Sequence, residues 1–203
     1  YLVMEWLDGP SLESVIKNTG ALPTARVIPL FMQTADALAH AHRKGVVHRD
    51  IKPSNIILTM DDNKQDLVKI VDFGIAKMVG EETEGAMALT RTGDVLGSPL
   101  FMSPEQCMGA KLDSRTDIYS LGCVMYEALC GVSPFIGENS VQVIFKHVNE
   151  MPKQPSTVNQ HIDRPQSLES ILFRCLQKEP DKRFASMDDL VVELRKQAEA
   201  FGF

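Results

Sequence analysis

His48-Arg49-Asp50-Ile51-Lys52-Pro53-Ser54-Asn55 is the stretch on which the reading of this chain turns. It lies between two short apolar runs of β type, Val46-Val47 before it and Ile56-Ile57-Leu58 after it. Downstream, Asp61 to Asp66 is polar and predicts a hairpin loop, with Val68 to Val71 as the returning strand. Upstream, Val27, Leu30, Phe31, Ala35, Leu38 and Ala41 recur at helical spacing, so a long helix is predicted from Thr24 and is stopped by Gly45. Pro29 falls inside that pattern and counts against its first turn.

Further towards the N-terminus, Asp8-Gly9-Pro10 signals a turn and Ser11 caps a short helix over Leu12 to Asn18. The opening run Tyr1-Leu2-Val3-Met4 reads as a strand that ends at Glu5-Trp6-Leu7. The chain starts inside this run without a methionine, which predicts a fragment cut upstream. Beyond the hairpin, residues 74–104 have weak periodicity and many Gly, Thr, Ser and Pro. A connection of that length in a globular domain is usually functional. Ser114 to Leu129 is strongly apolar, predicts a buried helix and ends at Gly131. Helical patterns return at about 139–149, 166–177 and 186–200. A few short strands followed by many helices make an α-rich α+β lobe.

The 203 residues, 44% of them hydrophobic, are enough to build a domain core. A net charge of -6 gives no global field that favours nucleic acid or an anionic membrane. No apolar run reaches the roughly 18 residues that a membrane-spanning helix needs, and no stretch of these residues reads as a secretory signal. Cysteines stand at 107, 123, 130 and 175 with no C-x-x-C pair. Buried free thiols are therefore expected, as suits a reducing compartment.

The motif at 48–55 resembles the protein-kinase catalytic loop, H-R-D-x-x-x-x-N. Other motifs follow in the order of that family. Asp72-Phe73-Gly74 resembles its metal-binding D-F-G, and Ser103-Pro104-Glu105 the A-P-E that closes the activation segment. Asp117-Ile118-Tyr119-Ser120-Leu121-Gly122 resembles the central helix of the large lobe, and Arg183 in Pro180-Asp181-Lys182-Arg183-Phe184 the late arginine. Each motif alone is weak, but five in order are specific, and the resemblance runs from Tyr1 to about Ala200. Ile51-Lys52-Pro53-Ser54-Asn55 and Ser103-Pro104-Glu105-Gln106 look like the bacterial, eukaryotic-like serine/threonine branch.

The resemblance implies a protein-kinase-like fold cut to its C-terminal lobe. Residues 1–10 would be the end of the N-terminal lobe and the hinge, 11–203 the C-terminal lobe, and 72–105 the activation segment. It implies transfer of the ATP γ-phosphate to serine or threonine hydroxyls of proteins. Phosphoryl transfer depends on positioning and charge neutralisation, and the residues suit this. Asp50 would orient the acceptor hydroxyl and take its proton. Lys52 would place its charge on the moving phosphoryl group. Asn55 and Asp72 would hold Mg²⁺, with Mn²⁺ as a substitute. For ATP, the resemblance implies Met4 at the gatekeeper position, Glu5 and Leu7 on adenine through their backbones, Ser11 near the ribose and Ile57 beneath the ring. Ser98 would form the substrate platform. Thr90 and Thr92 would be autophosphorylation sites, with Arg49 as the anchor for their phosphate.

Four further roles are supports. His48 would pack beneath Phe73, next to Gly74. Asp117 must be hydrogen-bonded or neutral if buried, and in the family it bonds the backbone of the catalytic loop. Glu105 and Arg183 would form the ion pair that anchors the activation segment.

The sequence departs from the family pattern in some places. No Gly-rich loop, A-x-K lysine or partnering glutamate helix is present, so the chain alone is expected to be inactive and to bind nucleotide weakly. Ser103 replaces the usual alanine, and Asp61 to Asp66 lengthens the hairpin. A pseudokinase or scaffold lobe is the second reading, although intact Asp50, Lys52, Asn55 and Asp72 oppose it. A small-molecule phosphotransferase is a third, opposed by the activation segment. The expected partners are ATP and protein substrates, without nucleic acid or membrane contact from this segment, and a dimer is compatible. The expected location is cytoplasmic, with room in the parent for a membrane anchor elsewhere.

Overall fold

Ser11 opens the first helix, α1 (Leu12–Thr19), by accepting a bond from the Ser14 N–H at 3.2 Å. In the computed structural model, which describes residues 5–73, 99–163 and 165–202, Leu12 and Ile16 of this helix are buried. Their spacing of four places both on one face. The second helix, α2 (Thr24–Arg43), buries Val27, Ile28, Leu30, Phe31, Thr34, Ala35, Leu38 and Ala39. Pro29 sits inside it without ending it. The proline removes one backbone bond, and burial of the long apolar stripe outweighs that loss. At the far end Gly45 takes φ 76°, the Gly45 N–H bonds the His42 carbonyl and the Val46 N–H bonds the Ala41 carbonyl. This is a Schellman stop, which a left-handed glycine allows.

The hairpin pairs β1 (Ile56–Met60) with β2 (Asp66–Ile70), in register Ile56 to Ile70 and Met60 to Asp66. Ile56 and Leu58 point inward, as the period of two requires. The turn is held by Asp61, whose Oδ1 accepts from the N–H groups of Asn63 and Gln65 at 2.9 and 2.8 Å. Helix α2 braces β2. Arg26 makes a two-pronged bond to Asp66 at 2.7 and 3.0 Å, and the Gln33 amide bridges the Asp66 carbonyl and the Val68 N–H. On the other side the segment before α1 lies against β1. Leu58 N–H bonds the Pro10 carbonyl, and Ser11 bridges Ile57. A Cβ at Gly9 would lie 2.2 Å from the Leu58 oxygen, so only glycine fits this approach.

Val46-Val47, whose sequence reads as a short β-type run, has no strand partner among the described residues. The pair is short, and among the described residues no second strand lies beside it to satisfy a ladder. The opening run Tyr1 to Met4, whose sequence reads as a strand ending at Glu5-Trp6-Leu7, lies outside the described residues.

The remaining helices are α3 (Pro104–Cys107), α4 (Arg115–Cys130), α5 (Ser140–Asn149), α6 (Pro155–Val158), α7 (Pro165–Cys175) and α8 (Met187–Phe201). Helix α4 is buried on nearly every side, as its apolar sequence predicts. It packs on α2 and α7, while α8 lies along α2. Gly122 is the point of closest approach, since a Cβ there would lie 2.7 Å from the Cys175 Cβ. All four cysteines are free thiols, three of them buried. Burial pushes the Cys107 thiol up to about 11 and the Cys175 thiol to about 12. No helix among the described residues is long and apolar enough to cross a membrane.

A buried polar chain joins α5 and α4 to the backbone at Leu100, just before α3. Lys178 Nζ donates to Tyr119 Oη at 3.2 Å, and Tyr119 Oη lies 3.0 Å from His147 Nδ1. His147 Nε2 lies 3.1 Å from the Leu100 carbonyl oxygen. Lys178 also sits 4.4 Å above the Phe135 ring. Burial lowers His147 to about 4, helped by the Lys178 charge. An unfolded histidine titrates near 6.5. Between those values the unfolded chain binds a proton that the folded chain refuses. This stability is complete above about 6.5 and is lost as pH falls towards 4, by roughly 3 kcal/mol. Thermal melting from pH 7 to 4.5 should show a falling midpoint, with a shallower fall for His147→Gln, whose amide keeps the hydrogen bonds without titrating. Parallel curves would contradict this.

Candidate active site

The Asp117 carboxylate, fully buried in the first turn of α4, is the base on which the site is built. Its Oδ2 accepts the His48 N–H at 2.8 Å and its Oδ1 the Arg49 N–H at 2.8 Å. His42, from the last turn of α2, places Nε2 2.7 Å from Oδ2. His42 Nδ1 is the one buried side-chain nitrogen or oxygen without a partner among the described residues. These bonds hold the loop in a costly shape, because Arg49 has φ 64°. Non-glycine residues reach that region only where the surroundings over-determine them.

The loop then turns back on itself. His48 is buried, and its Nε2 lies 3.0 Å from the Val71 carbonyl. Its Nδ1 accepts the Asp50 N–H at 3.3 Å. One nitrogen donates and the other accepts, which is the neutral ring. Burial holds its pKa below the usual histidine value against the opposing Val71 bond. The Phe73 ring rests on it with centroids 4.6 Å apart.

Asp50 follows, with Lys52 Nζ 2.8 Å from its Oδ2. Pro53 to Asn55 forms a single 3-10 turn, which brings Asn55 back to Asp50. The Asn55 amide nitrogen donates to the Asp50 backbone oxygen at 2.9 Å and lies 3.4 Å from Oδ2. That use of the nitrogen leaves the amide oxygen as the group available to a cation. The Asn55 carbonyl in turn accepts the Val71 N–H at 3.0 Å, so Asp72 emerges one residue from the same contact. Asp72 is exposed, at φ 56°. No group of three or more His, Cys, Asp or Glu that could hold a metal occurs among the described residues. A cation held by Asn55 and Asp72 would need oxygens from phosphate and water, as Mg²⁺ accepts.

A second anchor lies at α3. Arg183 binds Glu105 through two bonds of 2.7 and 2.8 Å and gives its other N–H groups to the carbonyls of Arg115, Gln177 and Lys178. Thr116 adds a bond to Glu105 at 2.9 Å. Burial raises the Glu105 carboxyl, but the Arg183 bonds and charge outweigh it and hold it below the usual range. Ser103 caps α3, and Gln106 completes a capping box with it. The Gln106 amide nitrogen also reaches the Arg49 carbonyl at 2.7 Å. A small crevice between α3 and the loop is lined by Asp50, Lys52, Phe101, Met102 and Gln106.

Of the residues singled out from the sequence, Asp50, Lys52 and Asn55 thus form one bonded cluster, with Asp72 beside it. His48, Phe73 and Asp117 support the loop that carries it, and Glu105 and Arg183 anchor the helix α3 that touches that loop through Gln106. Ser11 and Ile57 are bridged through their backbones, but Ser11 Oγ is occupied as the α1 cap. Glu5 is exposed and Leu7 half-buried, in the segment leading to that bridge. Met4, Gly74, Thr90, Thr92 and Ser98 lie outside the described residues. His42 and Gln106 are contributors that the sequence reading passed over. A Ser-x-x-Gln capping box was the available signal for Gln106, and nothing local marks His42.

The chain belongs to the protein kinase domain family, which matches residues 1–193. It is 40% identical over 196 residues to the probable serine/threonine-protein kinase CPE1738 of Clostridium perfringens, covering 97% of this chain and 27% of that protein. It is 37% identical over 194 residues to the serine/threonine-protein kinase PknB of Mycolicibacterium smegmatis, covering 96% and 30%. The chain therefore spans about a third or less of the length of these curated relatives. Its fold is that of solved kinase domains. The PknI kinase domain of Mycobacterium tuberculosis superposes with a TM-score of 0.70 at 24% identity, covering 96% of this chain and 64% of that one. A Rad53 kinase domain solved with SCD2 and AMPPNP gives 0.72 at 24% identity, covering 95% and 67%.

Removing one partner from the Arg183–Glu105 pair leaves a buried, unpaired charge. Arg183→Met should destabilise the chain by about 3–5 kcal/mol, read from the urea midpoint. A loss below about 1 kcal/mol would contradict the anchoring role.

Proposed function

We propose that this chain is the catalytic-loop lobe of a serine/threonine protein kinase, acting on ATP and on protein hydroxyls. The observation that carries the reading is the cluster in which Lys52 and Asn55 both bond Asp50. Asp50 Oδ accepts the proton of the acceptor hydroxyl as the oxygen attacks the γ-phosphorus. The bond from that phosphorus to the bridging oxygen breaks, and ADP leaves with the electron pair. Lys52 stays within reach of both groups and offsets the negative charge that gathers on the phosphoryl oxygens. Asn55 fixes the rotation of the loop around Asp50 and offers its amide oxygen to Mg²⁺, with Asp72 supplying a carboxylate. When bound, the cation would neutralise phosphate charge. Lysine at position 52 and the segment around Ser98 support serine and threonine as acceptors, and Thr90 and Thr92 as sites of autophosphorylation. The four free cysteines support a reducing, cytoplasmic setting.

The test uses the full-length protein that carries this chain, radiolabelled ATP with Mg²⁺, and a serine- and threonine-containing acceptor protein. Asp50→Asn should lower transfer roughly 10²- to 10⁴-fold with an unchanged melting midpoint. Equal activity of the two proteins would overturn the mechanism. A wild-type protein that transfers no phosphate would favour the scaffold reading instead. Mass spectrometry of active wild-type enzyme should find phosphate at Thr90 or Thr92 and none there in Asp50→Asn. Active enzyme with both threonines unmodified would remove that part of the proposal.

A further inference from the structure

The Arg49–Asp50 peptide carries the catalytic carboxylate on one side and the left-handed Arg49 on the other. Among the described residues two contacts act on this peptide, and Asp117 holds the one before it through the Arg49 N–H at 2.8 Å. His48 Nδ1 accepts the Asp50 N–H, at a long 3.3 Å. The Gln106 amide nitrogen lies 2.7 Å from the Arg49 carbonyl oxygen. That last bond comes from a different part of the fold, the helix after the activation segment.

The geometry leaves no choice in the Gln106 amide. Its Oε1 accepts the Ser103 N–H at 3.0 Å, and its own backbone N–H bonds Ser103 Oγ at 3.3 Å. With the oxygen committed to the cap, the nitrogen faces Arg49. Glutamate would serve the capping box equally well, but it has no hydrogen to give to a carbonyl. The amide is needed only for the second bond.

We infer that Gln106 is a positioning residue that bolts the helix closing the activation segment to the peptide bearing Asp50. Glu105, its neighbour, is held to the core by Arg183. Gln106 therefore transmits that anchor to the catalytic loop, and the placement of Asp50 depends on an ordered α3. This inference rests on the kinase reading above.

Two variants of the full-length protein separate the bolt from the cap. Gln106→Glu keeps the acceptor for Ser103 and loses the donor. Gln106→Met has similar length, carries no charge and loses both. Both should lower kcat roughly tenfold, the worth of one hydrogen bond, with KM for ATP unchanged. The melting midpoint should fall by about 2–4 °C in Gln106→Glu, as expected for one lost hydrogen bond, and further in Gln106→Met, which also loses the cap. The Asp50 amide, which belongs to the bolted peptide, should exchange its hydrogen about tenfold faster in both. Wild-type kcat and wild-type exchange in Gln106→Met would overturn the inference. So would a kcat loss confined to Gln106→Glu, which would reflect its charge. If the wild-type protein transfers no phosphate, the kinase reading fails on its own. The exchange comparison then still decides the bolt: faster exchange in both variants supports it, and unchanged exchange overturns it.

Discussion

A carboxylate with no access to water dictates where the loop from His48 to Asn55 lies. Asp117 sits in the first turn of a helix that is buried on almost every side, and burying such a charge is unfavourable unless hydrogen bonds replace the lost water. Two of those bonds come from the backbone of His48 and Arg49 and one from the His42 ring. The loop backbone must therefore run directly over the end of α4, and Arg49 must accept a left-handed conformation to do so. Moving the loop would strand the carboxylate. Asp50, one residue further on, inherits that rigidity.

The same economy governs the second anchor. All five N–H groups of Arg183 are used, two on Glu105 and three on backbone carbonyls. A buried ion pair is a poor source of net stability but a strict geometric constraint, because breaking half of it is costly. The two anchors meet at Arg49, whose N–H goes to Asp117 and whose carbonyl goes to Gln106. Preorganised groups of this kind do not have to rearrange when charge develops on a reacting phosphate. The chemistry proposed for Asp50, Lys52, Asn55 and Asp72 relies on that property.

Much of this was legible in the sequence, for identifiable reasons. The helices announced themselves because their apolar faces recur at helical spacing, and Ser11, Gly45 and Gly131 marked ends with specific backbone demands. The loop motif was legible because His48 to Asn55 resembles the protein-kinase catalytic loop, and Asp117 because a carboxylate inside a long apolar run requires an explanation. Val46-Val47 misled, since a β-branched pair shows local preference but says nothing of a partner strand. Pro29 misled in the other direction, because one lost backbone bond is small beside the burial of nine residues on α2. His42, the reach of Gln106 beyond its capping box, and His147 were not legible. Their roles depend on partners 75, 57 and 47 residues away, and no local pattern encodes a contact of that kind.

The most direct test of the account is hydrogen exchange at the backbone amides of His48 and Arg49. Neither residue lies in a helix or strand, so an ordinary loop would exchange both amides quickly. The account predicts protection comparable to that of the α4 amides, and its selective loss in Asp117→Ala while the other helices stay protected. Rapid exchange in the wild-type protein would contradict it, because the carboxylate would then not be what holds the loop.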